Sequence, residues 1–240
     1  MRYIMPLNVK SNLRKFILVV ILCIFCANVT LAQESIVHKN YKIALNILIN
    51  NIRNTATTKQ AKFIMTAITT MWQDNRNIDP NTQGKFGYNL LILASMIGQL
   101  EVITILLADE RTNPNIQDID AGTALIRATS ENQPAVVAAL LADKRTDPNI
   151  QDCYGNTALN LASEEITKIL LGDERTDPNI QNYSDWTPLM YASLYGYTGI
   201  VKALLANPKI NVNIKNSEGL TAYQIAMYAG HREIAKLCAF

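Results

Sequence analysis

A chain of 240 residues, 49% hydrophobic and 18% charged, is long and apolar enough to bury a core and is not disordered by composition. Its formal charge of +2 comes from the amino-terminal end: residues 1–32 hold Arg2, Lys10, Arg14 and Lys15 and no acid, and the rest carries 18 basic against 20 acidic residues. That body lacks the clustered Lys and Arg that phosphate neutralisation needs, which excludes a dedicated nucleic-acid binder, and two histidines, His38 and His231, are too few for a histidine-rich metal site.

The first segment reads as an address. Basic residues precede an apolar run from Phe16 to Ala27, the n-region and h-region of a secretory signal peptide. The run has 12 residues, short of the roughly 20 that a bilayer-spanning helix needs. Cleavage after Ala32 would leave small residues at the −3 and −1 positions, so a signal peptide over 1–32 is expected, with an exported (periplasmic or secreted) chain starting near Gln33. The alternative is an uncut helix extended to Ala32, which would anchor the rest as a membrane-bound structural scaffold; no other membrane link is expected. Leu22 and Phe25 precede Cys23 and Cys26, where a bacterial-type lipid attachment would need a small residue. Cys153 and Cys238 remain after removal and are expected as free thiols, because pairing requires a proximity that sequence does not supply.

Two apolar helical stretches follow, Ile36 to Ile52 and Lys59 to Trp72, ending in Asn77-Ile-Asp-Pro-Asn81. Downstream the chain repeats itself. Asp109-Glu-Arg-Thr-Asn-Pro-Asn-Ile-Gln-Asp118 returns as Asp143-Lys-Arg-Thr-Asp-Pro-Asn-Ile-Gln-Asp152 and as Asp173-Glu-Arg-Thr-Asp-Pro-Asn-Ile-Gln-Asn182, with a drifted copy over 207–216. The offsets are 34, 30 and 34 residues. A second signature runs in phase: Asn89-Leu-Leu, Thr123-Ala-Leu, Thr157-Ala-Leu, Thr187-Pro-Leu and Thr221-Ala-Tyr, each followed by Ala94, Ala128, Ala162, Ala192 or Ala226. Between the signatures, apolar residues recur at three- and four-residue intervals, as in Leu100, Ile103, Leu106 and Leu107, which predicts two short helices per unit after one Asn/Asp/Pro-rich loop. The Pro of each loop cannot continue a helix, and each Thr can cap the free amides of the next one. Asn115, Asn149, Asn179 and Asn213 share one place in the loop and read as turn formers.

The runs Gly155-Asn-Thr-Ala-Leu-Asn-Leu-Ala162, Trp186-Thr-Pro-Leu-Met-Tyr-Ala192 with Gly196, and Gly230-His-Arg-Glu-Ile-Ala-Lys-Leu237 resemble the ankyrin repeat in period and in the T-P-L-x-x-A pattern. The resemblance covers about 85–240 and implies an all-α solenoid of stacked helix-turn-helix units with hairpin-like loops, at about 85–118, 119–152, 153–182, 183–216 and 217–240. Residues 33–84 would then be degenerate capping helices, since each unit exposes an apolar face to its neighbour. The sequence departs from the pattern at Asn89-Leu90, at Gly122, displaced by one place, and in the third unit, four residues short around Ser163-Glu-Glu-Ile166. About one helical turn is missing there, which predicts a truncated first helix and a local change in stacking angle.

Catalytic, cofactor and metal residues are not expected. No nucleophile elbow, zinc-binding helix or phosphate-cradling glycine loop occurs. His231 occupies a helix-start position common to ankyrin-type units, His38 has no partner at ligand spacing, Asp118 and Asp120 read as a solvated loop tip, and Asn182-Tyr-Ser184 matches a glycosylation triplet. The resemblance implies a monomeric, non-enzymatic binder of an unidentified protein, met by loop tips and by the exposed side of each first helix. Carried over position by position, these are Phe86, Tyr88, Met96 and Ile97; Ile119 and Asp120; Tyr154 and Asn156; then Tyr183, Trp186, Leu194, Tyr195, Leu220 and Tyr228. Six of the ten tyrosines lie between Tyr183 and Tyr228, weighting the surface towards the last two units; Tyr191 and Tyr223 are the ones that could instead replace core aliphatics. The 28 Ile and 24 Asn fit an AT-rich genome, consistent with an effector of a host-associated bacterium.

Overall fold

A computed structural model describes residues 34–53, 58–74 and 77–239; the signal segment expected over 1–32 lies outside the described residues. Every regular element among them is helical, and the described residues divide into two compact units, one up to Leu90 and one from Leu91 on.

In the first unit, α1 (Glu34–Arg53) and α2 (Thr58–Asp74) fall on the two stretches with helical periodicity and pack against each other. Tyr41, Ala44, Leu45, Leu48 and Ile49 form the apolar face of α1, and Met65, Ile68 and Trp72 that of α2, each at most 5% exposed. Burial pushes the Tyr41 hydroxyl pKa well above its ordinary value, and the negative charge of Asp79 adds to the effect. The connecting loop returns to α1, where Asn46 Oδ1 accepts the amide of Lys85 at 2.7 Å. A single 3-10 turn, Lys85–Gly87, ends the loop, with Phe86 in the left-handed region at φ 59°.

The second unit is an array of helix pairs that begins within α3 (Leu90–Met96). The remaining elements are α4 (Leu100–Leu107), α5 (Ala124–Ser130), α6 (Pro134–Ala142), a 3-10 turn (Ala158–Leu161), α7 (Glu164–Leu171), α8 (Pro188–Tyr195), α9 (Thr198–Leu205), α10 (Ala222–Tyr228) and α11 (Arg232–Leu237). The first elements of successive pairs pack in the order α5, 3-10 turn, α8, α10; the second ones pack in the order α4, α6, α7, α9, α11. Each pair is short, so its apolar stripe is covered mainly by its neighbours. Leu125, Val137, Leu140, Leu159, Ile166, Leu170, Leu189, Val201, Leu204, Ala226 and Ile234 are at most 3% exposed.

Both in-phase signatures have a local cause. Thr123 and Thr187 start their helices by accepting the amides of Ile126 and Met190 at 3.2 and 3.3 Å, and Thr221 pairs reciprocally with Gln224. Such a cap contributes about 1 kcal/mol. The alanine marks where the chain doubles back: the carbonyls of Ala94, Ala128, Ala192 and Ala226 accept the amides of Gln99, Gln133, Tyr197 and His231 at 2.8–2.9 Å. The third unit is shorter here, as expected. Its first helix is reduced to the four-residue 3-10 turn, capped by Asn160 Oδ1 on the Thr157 amide at 2.9 Å, while α7 keeps its full eight residues.

Candidate interaction surface

The repeated Asp-x-Arg-Thr-x-Pro-Asn-Ile-Gln string turns its polar atoms inward, onto neighbouring loops. Arg145 Nη1 and Nη2 donate to the carbonyls of Glu110, Thr112 and Leu107 in the preceding unit at 3.0, 3.0 and 2.7 Å. Arg175 does the same to Lys144, Thr146 and Leu141 at 2.9, 2.6 and 2.8 Å. Each guanidinium is held by the aspartate two residues earlier, Asp143 at 2.6 Å and Asp173 at 2.5 Å. The hydrogen bond from the guanidinium lowers the pKa of both carboxyls, that of Asp173 to about 2.

The asparagines run the other way. Asn115 Nδ2 donates to Arg145 O at 2.7 Å while its Oδ1 accepts the Asp147 amide at 2.9 Å. Asn149 holds Arg175 O and the Asp177 amide, and Asn179 holds Lys209 O and the Asn211 amide. Gln117, Gln151 and Gln181 donate to the carbonyls of Gln151, Gln181 and Lys215. These residues are therefore clamps between units, more than the turn formers the sequence suggested. The near-identity of three ten-residue strings marks the loop as constrained beyond what a turn needs, without naming the backbone atoms that its side chains meet.

Beyond the clamps the chain forms hairpin tips. Their first residue, Asp118, Asp152, Asn182 or Asn216, accepts two amides on its own Oδ1 and closes the base by donating its amide to the carbonyl four residues on. The fourth tip residue is left-handed at Ala121, Gly155, Asp185 and Gly219, with φ of 57°, 79°, 63° and 75°. Adjacent tips are stitched together, Cys153 N to Asp120 O at 2.8 Å and Tyr183 N to Tyr154 O at 3.0 Å.

This geometry sorts the candidate contact residues. Second and third tip residues face outward: Ile119 is 67% exposed, Tyr154 70%, Tyr183 73%, and Asp120 is exposed. Fifth tip residues lie at the paired base. Asn156, Trp186 and Leu220 are half-buried there, and Tyr88, at the corresponding place in the first unit, is buried, so it is not a contact residue. Its carbonyl accepts the Gly84 amide at 2.8 Å, the base-closing bond that the other tips share. Phe86, Met96, Ile97 and Leu194 are half-buried. Tyr195 and Tyr228, at the ends of α8 and α10, stand 59% and 79% exposed. Tyr195 stacks on exposed Tyr197 with ring centroids 5.8 Å apart. Of the two tyrosines that could have been core, Tyr191 packs on Trp186 at 5.2 Å and its hydroxyl accepts Asn182 Nδ2, whereas Tyr223 is exposed.

Asp118, Asn182 and His231 make contacts that hold the fold. Asp118 is not a solvated tip acid: its side chain is buried and bound to Arg127 Nε at 2.6 Å, with Asp120 on the same guanidinium at 3.1 Å. Arg127 uses the space that glycine leaves at residue 122, where a Cβ would stand 2.7 Å from Nε. The amide of Asn182 is buried and donates to Asn156 and Tyr191, so the glycosylation triplet is closed in the folded chain. His231 Nε2 lies 3.1 Å from Leu194 O, a link between units. Among the described residues Cys153 is exposed, Cys238 is buried, both are free thiols, and no group of three His, Cys, Asp or Glu is placed to hold a metal. No described helix is long and apolar enough to cross a membrane.

No curated protein matches this sequence. The sequence model for ankyrin repeats, which represents three copies, matches at residues 65–152, 91–182 and 156–239. The first of these matches begins at Met65, within α2 and upstream of the stretch where the repetition is legible. Together they span most of the chain, and the chain belongs to the ankyrin repeat family.

Proposed function

We propose that this chain is an exported, non-catalytic ankyrin module of five units behind a pair of capping helices, acting as a monomer that binds a protein partner through its hairpin tips and the ends of its first helices. The observation that carries the reading is an asymmetry of use. The clamp residues Asn115, Arg145, Asn149, Arg175 and Asn179 are consumed by contacts between units, whereas Ile119, Tyr154, Tyr183, Tyr195 and Tyr228 are 59–79% exposed. Large rigid side chains of this kind provide contact area at low entropic cost. Export rests on the basic-then-apolar segment over 1–32, and delivery by a host-associated bacterium on composition.

The test is capture by the processed chain with and without Tyr154→Ala and Tyr228→Ala. Both side chains project from the fold, so the doubly substituted chain keeps its helical circular dichroism and loses the partner; retained capture would refute the surface. The mass of the secreted chain addresses export, with Gln33 expected as the first residue and an intact Met1 in a soluble fraction counting against it.

A further inference from the structure

The array distributes its charge unevenly. Residues 91–240 carry 17 acids against 11 bases. In the clamp loops, Asp109, Asp143 and Asp173 are each matched by the arginine two residues on, at 2.6, 2.6 and 2.5 Å. The four tips over 118–122, 152–156, 182–186 and 216–220 hold Asp118, Asp120, Asp152, Asp185 and Glu218 and no Lys or Arg. Arg127, reaching in from α5, serves Asp118 and Asp120. Asp152 spends one oxygen on its own tip amides. Asp185 and Glu218 are exposed and form no ion pair among the described residues.

Tyr154 and Tyr183 stand in the same row, and the Tyr183 amide on Tyr154 O holds their backbones together. Exposed carboxylates without an ion pair, in a row of tips that also exposes aromatic faces, attract one kind of side chain. A Lys or Arg gains Coulomb attraction from the acids and a cation–π contact from the rings. We infer that the tip edge from Ile119 to Glu218 takes a basic segment of the partner protein, its Lys or Arg side chains lying over Tyr154 and Tyr183 and against Asp185 and Glu218. This rests on the proposed binding function and names the chemistry of the partner.

The experiment uses the processed chain and two fluorescent ten-residue peptides of equal length, one alternating Lys with Gly and one alternating Glu with Gly, with anisotropy read at 50 and 300 mM salt. The Lys peptide binds and the Glu peptide does not. Asp185→Asn with Glu218→Gln weakens the Lys peptide about threefold to tenfold, the scale expected from two exposed charges. Tyr154→Ala weakens it further, and 300 mM salt removes most of the attraction. Glu110→Gln with Glu174→Gln, in the clamp loops, changes the same net charge and leaves binding unaltered. Equal binding of the two peptides, or equal weakening by the tip and loop pairs, would overturn the inference. A captured protein that is lost with Tyr154→Ala and Tyr228→Ala but indifferent to Asp185→Asn with Glu218→Gln keeps the binding surface and overturns the basic partner.

Discussion

The backbone of Tyr183 approaches Gly155 so closely that a β carbon on the glycine would stand 2.5 Å from the Tyr183 amide nitrogen. Gly155 also has φ 79°, so an alanine there meets both a strained backbone and a neighbour that is itself hydrogen-bonded to Tyr154. Gly219, at the same place in the last hairpin with φ 75°, has nothing within 4 Å of that position.

Gly155→Ala is therefore expected to cost about 3 kcal/mol, and Gly219→Ala only the left-handed penalty of about 1 kcal/mol. Urea midpoints of the two variants measure the difference, which is the contribution of the close approach between units. Equal losses would mean that the tips can separate freely.

Ala121 holds the same left-handed place with a side chain, at φ 57°. Ala121→Gly should relieve that strain, offset by the extra freedom glycine has when unfolded, for a net gain of about 0.5–1 kcal/mol. A raised thermal midpoint is the expected readout, and a lowered one would show that the alanine methyl contributes packing.

Arg175 donates to three carbonyls of the preceding unit while paired to Asp173. Its replacement by Ala leaves those acceptors short, and a loss of about 2–3 kcal/mol is expected. Arg175→Lys should recover only part, because a compact ammonium cannot span the three acceptors as the planar fork does. The natural comparison is Lys209, which donates to Glu174 O. Chemical denaturation of both variants decides, and a full rescue by lysine would contradict the fork geometry.

The same pairs set an acid limit. The folded pKa values of Asp143 and Asp173 lie below their unfolded values, so the stability they contribute is complete above about pH 4 and is lost as pH falls through the folded values, about 2 for Asp173. The thermal midpoint should drop between pH 4 and pH 2, and Asp173→Asn should flatten that drop. An unchanged slope in the variant would place the acid sensitivity elsewhere.

The helix pairs were legible because they obey local rules. Thr123, Thr187 and Thr221 signal a start, apolar spacing gives the buried stripe, and the four-residue gap before Ile166 marks where a turn is lost. The clamp partners of Asn115 or Arg145 were not legible, since the atoms they satisfy are backbone carbonyls and amides about 30 residues away, and no side-chain code records a backbone partner. Asp118 was misread for a related reason: Arg127 lies nine residues on, across a helix start, and only the folded hairpin brings the two within 2.6 Å. Tyr183 and Trp186 are both aromatic residues of one tip, yet their register, second against fifth, exposes the first and half-buries the second.

The clamp loops also govern how the array can vary. Arg175, Asn149 and Gln151 make their full set of links to or from the third unit although its first helix is a single 3-10 turn. Spacing between units is thus fixed along one polar edge, while length is free to change at the opposite end, where the helices of a pair meet. Insertions or deletions near Ser163 would alter the reach of a first helix without disturbing the register of its neighbours, so new contours can arise one unit at a time on a framework that stays in step.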